Sequence, residues 1–365
     1  MTSTSHVTVI AEAGVNHNGR VDLALALVDA AAQAGADVVK FQTFSAQQLA
    51  TSAAGMADYQ KRNVGAVEPQ IDMLRRLELS PEAHRTLITR CRERGIAFLS
   101  SPFDMESLRF LIDELNCQTI KIPSGEITNG PLLLAVGNSG RRSIISTGMA
   151  EISEIEAGLD LLAWGYLGRR APEQISQVAG TRNLPKAREI MQAKVVVLQC
   201  TTEYPAPMDT INLRAMETLQ ALSGLPVGFS DHSEGIAAAI AATALGAVMI
   251  EKHVTLDRSL PGPDHKASIE PDEFARMVAG IRAVEKALGT GAKAPLPIEI
   301  ANRAIARKSL VAARPIPAGA VIADDDLTAM RPGTGVSPME FWSVVGTVAG
   351  RAYNLGELIE WPNGR

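Results

Sequence analysis

The sequence predicts an α/β protein: a (β/α)8 barrel followed by a small second domain. Three observations predict it. Eight β-rich runs, each ending in polar or glycine residues, recur over about 280 residues. The segments between them carry apolar residues at helical spacing. After Gly289 the composition shifts to short strands and many turns with no long helix. A doubly wound open sheet is the competing arrangement. The first strand–helix turn reads EAGVNHNG, not GxGxxG, which weakens a dinucleotide-binding reading.

The strands read, in order, VTVIAEAG (7–14), DVVKFQT (37–43), IAFLSSP (96–102), TIKIPSG (119–125), RSIISTG (142–148), VVVLQCTT (195–202), PVGFSDH (226–232) and AVMIEKHV (247–254). In VDLALALVDAAAQAG (21–35), Leu23, Leu25, Leu27, Val28 and Ala31 form a broad apolar helical face. SPEAHRTLITRCRERG (80–95) has Ser80 as N-cap, Pro81 at the first helical position and Gly95 as the stop. PDEFARMVAGIRAVEKALG (271–289) follows the same grammar and ends at Gly289. IAAAIAATALGAVMI (236–250) is too short and too alanine-rich to span a bilayer and reads as a helix, a turn at Gly246 and the start of a strand.

Two connections are long. Residues 44–79 follow the second strand and so belong to the catalytic face, where the polar stretch ADYQKRN (57–63) is placed to cover a substrate. Residues 165–194 precede the sixth strand and belong to the opposite end. The expected domains are a barrel over 1–289, a linker with a short helical piece over 290–307, and a small domain over 308–365.

Composition narrows the function. Hydrophobic residues are 46% and charged residues 21%, as in soluble globular proteins. The net charge of −5 leaves no basic excess to neutralise phosphates, which argues against nucleic acid as the main partner. Cys91, Cys117 and Cys200 form no CxxC pair and suggest no disulfide framework. MTSTSHVTVI has neither a basic n-region nor an apolar core, so no signal peptide, no membrane association and a cytoplasmic location are expected. His6 and His84 read as surface residues.

In a barrel, the carboxyl ends of the strands share one mouth. Those ends carry Glu12, Lys40 with Gln42, Ser100 with Ser101, Lys121 with Ser124 and Glu126, Ser146 with Thr147, Thr201 with Thr202, Ser230 with His232, and Glu251 with His253. A lysine inside an apolar strand is costly unless paired with an anion. Lys40 and Lys121, with the hydroxyls of SSP, PSGE and STG, therefore suggest a phosphate or carboxylate site; structural salt bridges are the alternative. His232 and His253 end neighbouring strands and are placed to share a metal ion, with Glu12 next around a closed ring; ordinary hydrogen-bonded histidines are the alternative. The loop DRSLPGPDHKASIEP (257–271) presents Asp264 near the mouth, as a sugar-hydroxyl acceptor or a turn cap.

These motifs together resemble the sialic acid synthase family. IAEAGVNHNG, VVKFQTF, FLSSPFD, IKIPSGEITN, IISTGMA, CTTEYPAP, GFSDHSEG and IEKHVTLDRSLPGPDHKAS match it in order, and RKSLVAARPIPAGAVIADDDLTAMRPGTG resembles the start of its C-terminal antifreeze-like (SAF) domain. The resemblance implies condensation of phosphoenolpyruvate with an N-acylated mannosamine-type sugar. Lys40, Lys121, Ser101, Ser124, Ser146, Ser230 and Tyr204 would surround phosphoenolpyruvate. His232 and His253 would bind a divalent metal, Mn2+ or Mg2+, and Glu12 would hold the metal-bound water. Gln42, Glu126 and Asp264 would contact the acceptor, with Glu126 as its acid/base. Arg331 would reach the other subunit's site in a domain-swapped homodimer and bind the N-acyl group. Thr202 departs from the asparagine of some members, and residues 165–186 read as an insertion relative to the family. Of two product branches, N,N'-diacetyllegionaminate is favoured over N-acetylneuraminate. The competing functions are a metal-independent aldolase forming a Schiff base at Lys121 and a non-enzymatic carbohydrate- or ice-binding protein.

Overall fold

A computed structural model describes residues 6–51, 53–64 and 68–361. Residues 1–5 of the stretch read as lacking a leader lie outside the described residues, as do 52 and 65–67 of the long connection and 362–365 of the expected small domain. The chain divides into two compact units, Met1–Thr290 and Gly291–Arg365.

All eight expected strands form: β1 (Thr8–Gly14), β2 (Val38–Thr43), β3 (Ala97–Pro102), β4 (Thr119–Ile122), β5 (Arg142–Ser146), β6 (Val195–Cys200), β7 (Val227–Asp231) and β8 (Met249–His253). They build one parallel sheet in the order β3-β2-β1-β8-β7-β6-β5-β4. β1 pairs with β2 on one side and with β8 on the other, from Thr8 opposite Met249 to Glu12 opposite His253. β3 and β4 pack side by side, which completes the ring. Helices alternate with the strands. Ser80 caps the helix Pro81–Arg94 by accepting from Ala83 N, and Gly95 ends it at φ 68°.

Strand periodicity decides what enters the barrel, because successive side chains point to opposite faces. Val9, Ala11, Val39, Phe41, Ile120, Ile122, Ile145, Phe229 and Ile250 face outward into the main core, against Leu27, Leu87 and Phe274 of the helices. Ile10, Leu99, Ile144 and Leu198 form a separate inner cluster. The next inward positions towards the carboxyl ends are Glu12, Ser101, Ser146 and Cys200. An apolar layer thus floors the barrel, and a polar layer lies directly above it.

The same alternation separates residues that adjacent motifs had grouped. Ser101 faces inward, whereas Ser100 faces outward, with Oγ 2.7 Å from Thr43 Oγ1. His84, expected at the surface, is buried instead. Its Nδ1 donates to Ser80 O (3.0 Å) and its Nε2 accepts from Thr43 Oγ1 (2.9 Å), so it ties the helix Pro81–Arg94 to the end of β2. The apolar face of that helix carries it inward, and two hydrogen bonds make its burial tolerable. Substituting His84→Leu removes the buried contact with Thr43 Oγ1, while Ser80 O keeps its bond from the backbone N–H of residue 84, and is expected to destabilise the barrel by about 0.5–1.5 kcal/mol, read as a lower midpoint in thermal unfolding.

Residues 165–194 pack on the helix Ile152–Tyr166 and enter β6 through the helix Pro185–Lys194. Arg182 pairs with Asp160 at 2.7 Å and with Glu156. No helix of the described residues is long and apolar enough to cross a membrane.

In the second unit, β9 (Ser309–Ala312) and β10 (Leu327–Met330) pair antiparallel. Single bridges at Val311–Leu358, Ile316–Tyr353 and Val321–Val348 fold the remaining turns around a core of Leu310, Ile316, Ile322, Val344, Tyr353 and Ile359. A helix, Pro297–Ala306, occupies most of the expected linker.

Candidate active site

Glu251 organises the barrel mouth. It is 3% exposed, on β8, one alternation before His253. Its Oε2 lies 3.0 Å from Lys40 Nζ, and its Oε1 lies 3.3 Å from Lys121 Nζ. Ser230 Oγ donates to the same Oε1 at 2.9 Å. Lys40 Nζ also lies 3.3 Å from Glu12 Oε2, and Lys121 Nζ donates to Ser146 Oγ at 2.8 Å. One carboxylate on β8 thus joins lysines from β2 and β4.

Burial raises carboxyl pKa values and lowers those of lysines, and neighbouring charge decides each outcome. Burial works to raise Glu251, but Lys121 and Lys40 outweigh it and hold its carboxyl well below the usual range. Glu12 moves the other way: burial dominates, Glu251 repels it, and its carboxyl is held above the usual range. Burial would lower Lys40, but Glu12 and Glu251 raise it; Lys121 is lowered, with burial prevailing over Glu251. Glu251 is thus the carboxylate that both lysines share, while the raised Glu12 offsets less of their charge. The cluster then carries a net positive charge suited to a small anion.

The two histidines stand beside this cluster, their ring centroids 5.5 Å apart. His232 Nδ1 donates to Thr201 O at 2.6 Å, which fixes the tautomer and leaves a lone pair on Nε2. His253 Nδ1 is buried without a hydrogen bond, 3.9 Å from Asp264 Oδ2. Burial holds both imidazoles neutral, His232 at a pKa of about 4 and His253 well below its ordinary value. Gly14 precedes them in the left-handed region, at φ 52°, where a Cβ would be strained and would come 3.3 Å from Glu12 Oε1.

The donor set fits a divalent cation held by few protein ligands. Two neutral imidazoles are available, and His253 Nδ1 is buried without a hydrogen bond. Among the described residues no group of three or more His, Cys, Asp or Glu has metal-binding geometry, so the remaining positions would fall to water or substrate.

Around these groups lies a cavity of about 280 Å3. Gln42, Ser101, Ser124, Tyr204 and Asp264 line it along with the residues above. Ser101 Oγ is buried without a partner. Gly148 N donates to Ser124 Oγ at 3.0 Å. Tyr204 stacks against His232, centroids 4.2 Å apart. Burial raises Asp264 to a pKa of about 6.

The matches to known proteins agree with this arrangement. The NeuB family model covers residues 27–293, and the SAF domain model covers 307–363. The chain belongs to the NeuB family. It is 43% identical to the N,N'-diacetyllegionaminic acid synthase of Campylobacter jejuni, over 96% of this chain and 98% of that one. It is 42% identical to the synthase of the same name from Legionella pneumophila, over 97% and 93%. A crystal structure of an N-acetylneuraminic acid synthetase from Leptospira borgpetersenii superposes with a TM-score of 0.66 at 31% identity, covering 82% of this chain and 90% of that one. This NeuB chain is therefore a (β/α)8 barrel followed by a SAF domain.

Twelve of the residues given roles from the sequence line the cavity of this NeuB barrel, Glu126 does not, and Arg331 was expected in the site of a second copy. Glu126, on a 3-10 turn after β4, is half-buried, and its carboxylate accepts from Asn129 Nδ2 at 2.6 Å instead of lining the cavity. Arg331 is exposed in the second unit, where its Nε donates to Ala306 O at 3.1 Å. Glu251 was visible only as one member of the polar ring. The telling signal is its position two residues before His253, on the inward face of β8. Tyr59 and Asn63 were also missed as individuals. Tyr59 stacks on Tyr204, and Asn63 Nδ2 donates to Pro263 O at 2.7 Å, which fastens the helix Asp58–Val64 across the mouth.

Proposed function

We propose that this chain condenses phosphoenolpyruvate with an open-chain N-acylated mannosamine-type sugar and water, releasing phosphate by C–O cleavage. N,N'-diacetyllegionaminic acid is the favoured product over N-acetylneuraminate, in line with the two synthases at 43% and 42% identity. The observation that carries the reading is the pair of buried lysines bridged by Glu251 beside two neutral imidazoles. That arrangement suits an enol phosphate next to an electrophilic carbonyl. A protein that merely bound carbohydrate would not need two buried ammonium groups there.

Lys40, Lys121 and the hydroxyls of Ser101, Ser124, Ser146 and Ser230 would hold the phosphate and carboxylate, so that C3 faces the aldehyde. Tyr204 and the helix Asp58–Val64 would exclude bulk water. C3 attacks the aldehyde carbon, and the positive charge left at C2 is taken up by water. Glu12, whose carboxyl burial makes more basic than usual, would accept a proton from that water, and the alkoxide left at the former aldehyde carbon would take one up, so that the protons balance. The resulting tetrahedral carbon expels phosphate. His232 and His253 would hold Mn2+ or Mg2+, and that ion, when bound, supplies Lewis-acid polarisation of the acceptor carbonyl. Gln42 and Asp264 would contact sugar hydroxyls, and Arg331 of a second copy in a domain-swapped homodimer would contact the N-acyl group. Glu126 lies outside the cavity lining, and no proton transfer in this course runs through it. The setting would be the cytoplasm, where phosphoenolpyruvate is available.

Turnover in 18O-labelled water tests the bond cleaved. Label is expected in the new ketone oxygen and absent from the released phosphate, both read by mass spectrometry. Label in phosphate would mean P–O cleavage and overturn the proposed course.

A further inference from the structure

The two strands that end in His232 and His253 are tied together on both faces of the sheet. β7 and β8 run in register from Phe229 opposite Ile250, through Ser230 opposite Glu251, to Asp231 opposite Lys252. Alternation sends successive pairs to opposite faces. Ser230 and Glu251 meet on the inner face at 2.9 Å. Asp231 and Lys252 meet on the outer face, also at 2.9 Å, and both side chains are fully buried. The register ends there, and each histidine stands one residue beyond it.

The outer pair reaches past that end. Lys252 Nζ also donates to Ser233 O at 2.6 Å. Asp231 Oδ1 accepts from Ser233 N at 2.9 Å and from Ser233 Oγ at 2.6 Å. The residues on either side of His232 are thus bound to one ammonium group from β8. On the other flank, the loop after β6 holds the same segment, with Ala206 N donating to His232 O at 2.9 Å. Neither Asp231 nor Lys252 lines the cavity. Taking two charges out of water is costly, and apolar side chains of similar volume would pack there as stably. Apolar contacts, however, have no direction and would not fix where the chain on either side of His232 stops.

We infer that Asp231 and Lys252 are positioning residues: their buried ion pair sets His232 against His253 so that one cation can take both imidazoles. The inference rests on the metal reading above. His253 is fixed by its place in the sheet, opposite Glu12 of β1. His232 follows the last residue of β7, and its distance from His253 depends on what ties that end to β8. The ion pair is that tie, and it acts from the outer face without touching the cavity. Groups that orient metal ligands in this way typically change metal affinity by about 10- to 100-fold when removed.

The test titrates the full-length protein with Mn2+, reading free and bound ion by electron paramagnetic resonance, and records thermal unfolding beside it. The double substitution Asp231→Asn with Lys252→Met removes both charges at once and should melt close to the wild type. Its Kd for Mn2+ should nevertheless rise about 10- to 100-fold. Asp231→Asn alone keeps an acceptor for Ser233 but loses the ion pair, and its Kd should rise in the same direction. At saturating Mn2+ the KM for phosphoenolpyruvate should be unchanged in both, because Lys40 and Lys121 come from β2 and β4. Wild-type Mn2+ affinity in either folded variant overturns the positioning role. Failure of both variants to fold overturns it as well, since the pair would then hold the barrel together and not the imidazoles. No Mn2+ binding by the wild type would instead overturn the metal reading itself.

Discussion

Replacing Glu251 with Gln is expected to lower phosphate release from phosphoenolpyruvate by about 10²- to 10³-fold and to lower the unfolding temperature by several degrees. The substitution keeps the shape and removes one charge. That charge is shared by two ammonium groups at 3.0 and 3.3 Å, inside a barrel where neither has enough water to replace it. Removing one partner of a buried ion pair costs about 3–5 kcal/mol, because the other charge is left uncompensated. One lysine is then expected to shed its proton, and the anion site loses half its positive charge. At about 1.4 kcal/mol per factor of ten, a separate loss of about 3–4 kcal/mol in transition-state stabilisation gives the stated rate change. A second substitution separates stability from chemistry. Glu251→Gln with Lys121→Met removes the charge imbalance and should regain much of the lost melting temperature without regaining activity. A Glu251→Gln variant that melts and turns over like the wild type would show that Glu251 is not the hub its contacts describe.

How much of this was legible depended on whether a signal was local. The strands were legible because each is a β-rich run ended by polar residues, and all eight formed close to their expected bounds. The mouth was legible because barrel topology gathers strand ends wherever they lie in the sequence. Neighbours within a motif were harder. Ser100 and Ser101 look alike in FLSSPFD, and only the pleat separates the one that holds Thr43 from the one that faces the cavity. Lys252 sits between Glu251 and His253 yet points the other way, to Asp231 at 2.9 Å, so IEKH contains both a site and a structural ion pair. His84 looked exposed because its helix is rich in charge, but it lies on the buried face of that helix. The clasp by Asn63 was not legible. It depends on how a long connection folds back over loops about 140–200 residues further along the chain, and no periodicity encodes that.

His232→Ala and His253→Ala are each expected to reduce phosphate release at least about 10³-fold, and a chelator should do the same to the wild-type protein. The two rings stand 5.5 Å apart at the carboxyl ends of adjacent strands, and burial keeps both neutral. A neutral imidazole held by one hydrogen bond from Nδ1 to Thr201 O has its other nitrogen ready for a cation. With only two such ligands, losing either leaves one, and binding should weaken by orders of magnitude rather than by a modest factor. Mn2+ binding followed by electron paramagnetic resonance gives a reading independent of turnover: the wild type should bind, and each variant should not at the same concentration. Adding Mn2+ back after chelation should restore the wild type and neither variant. The melting temperatures should fall little, because these imidazoles have few hydrogen bonds to lose, and His253 Nδ1 has none. If the chelated wild type kept full activity, or if either alanine variant bound Mn2+ as tightly as the wild type, the paired imidazoles would have to be explained by packing against Tyr204 alone.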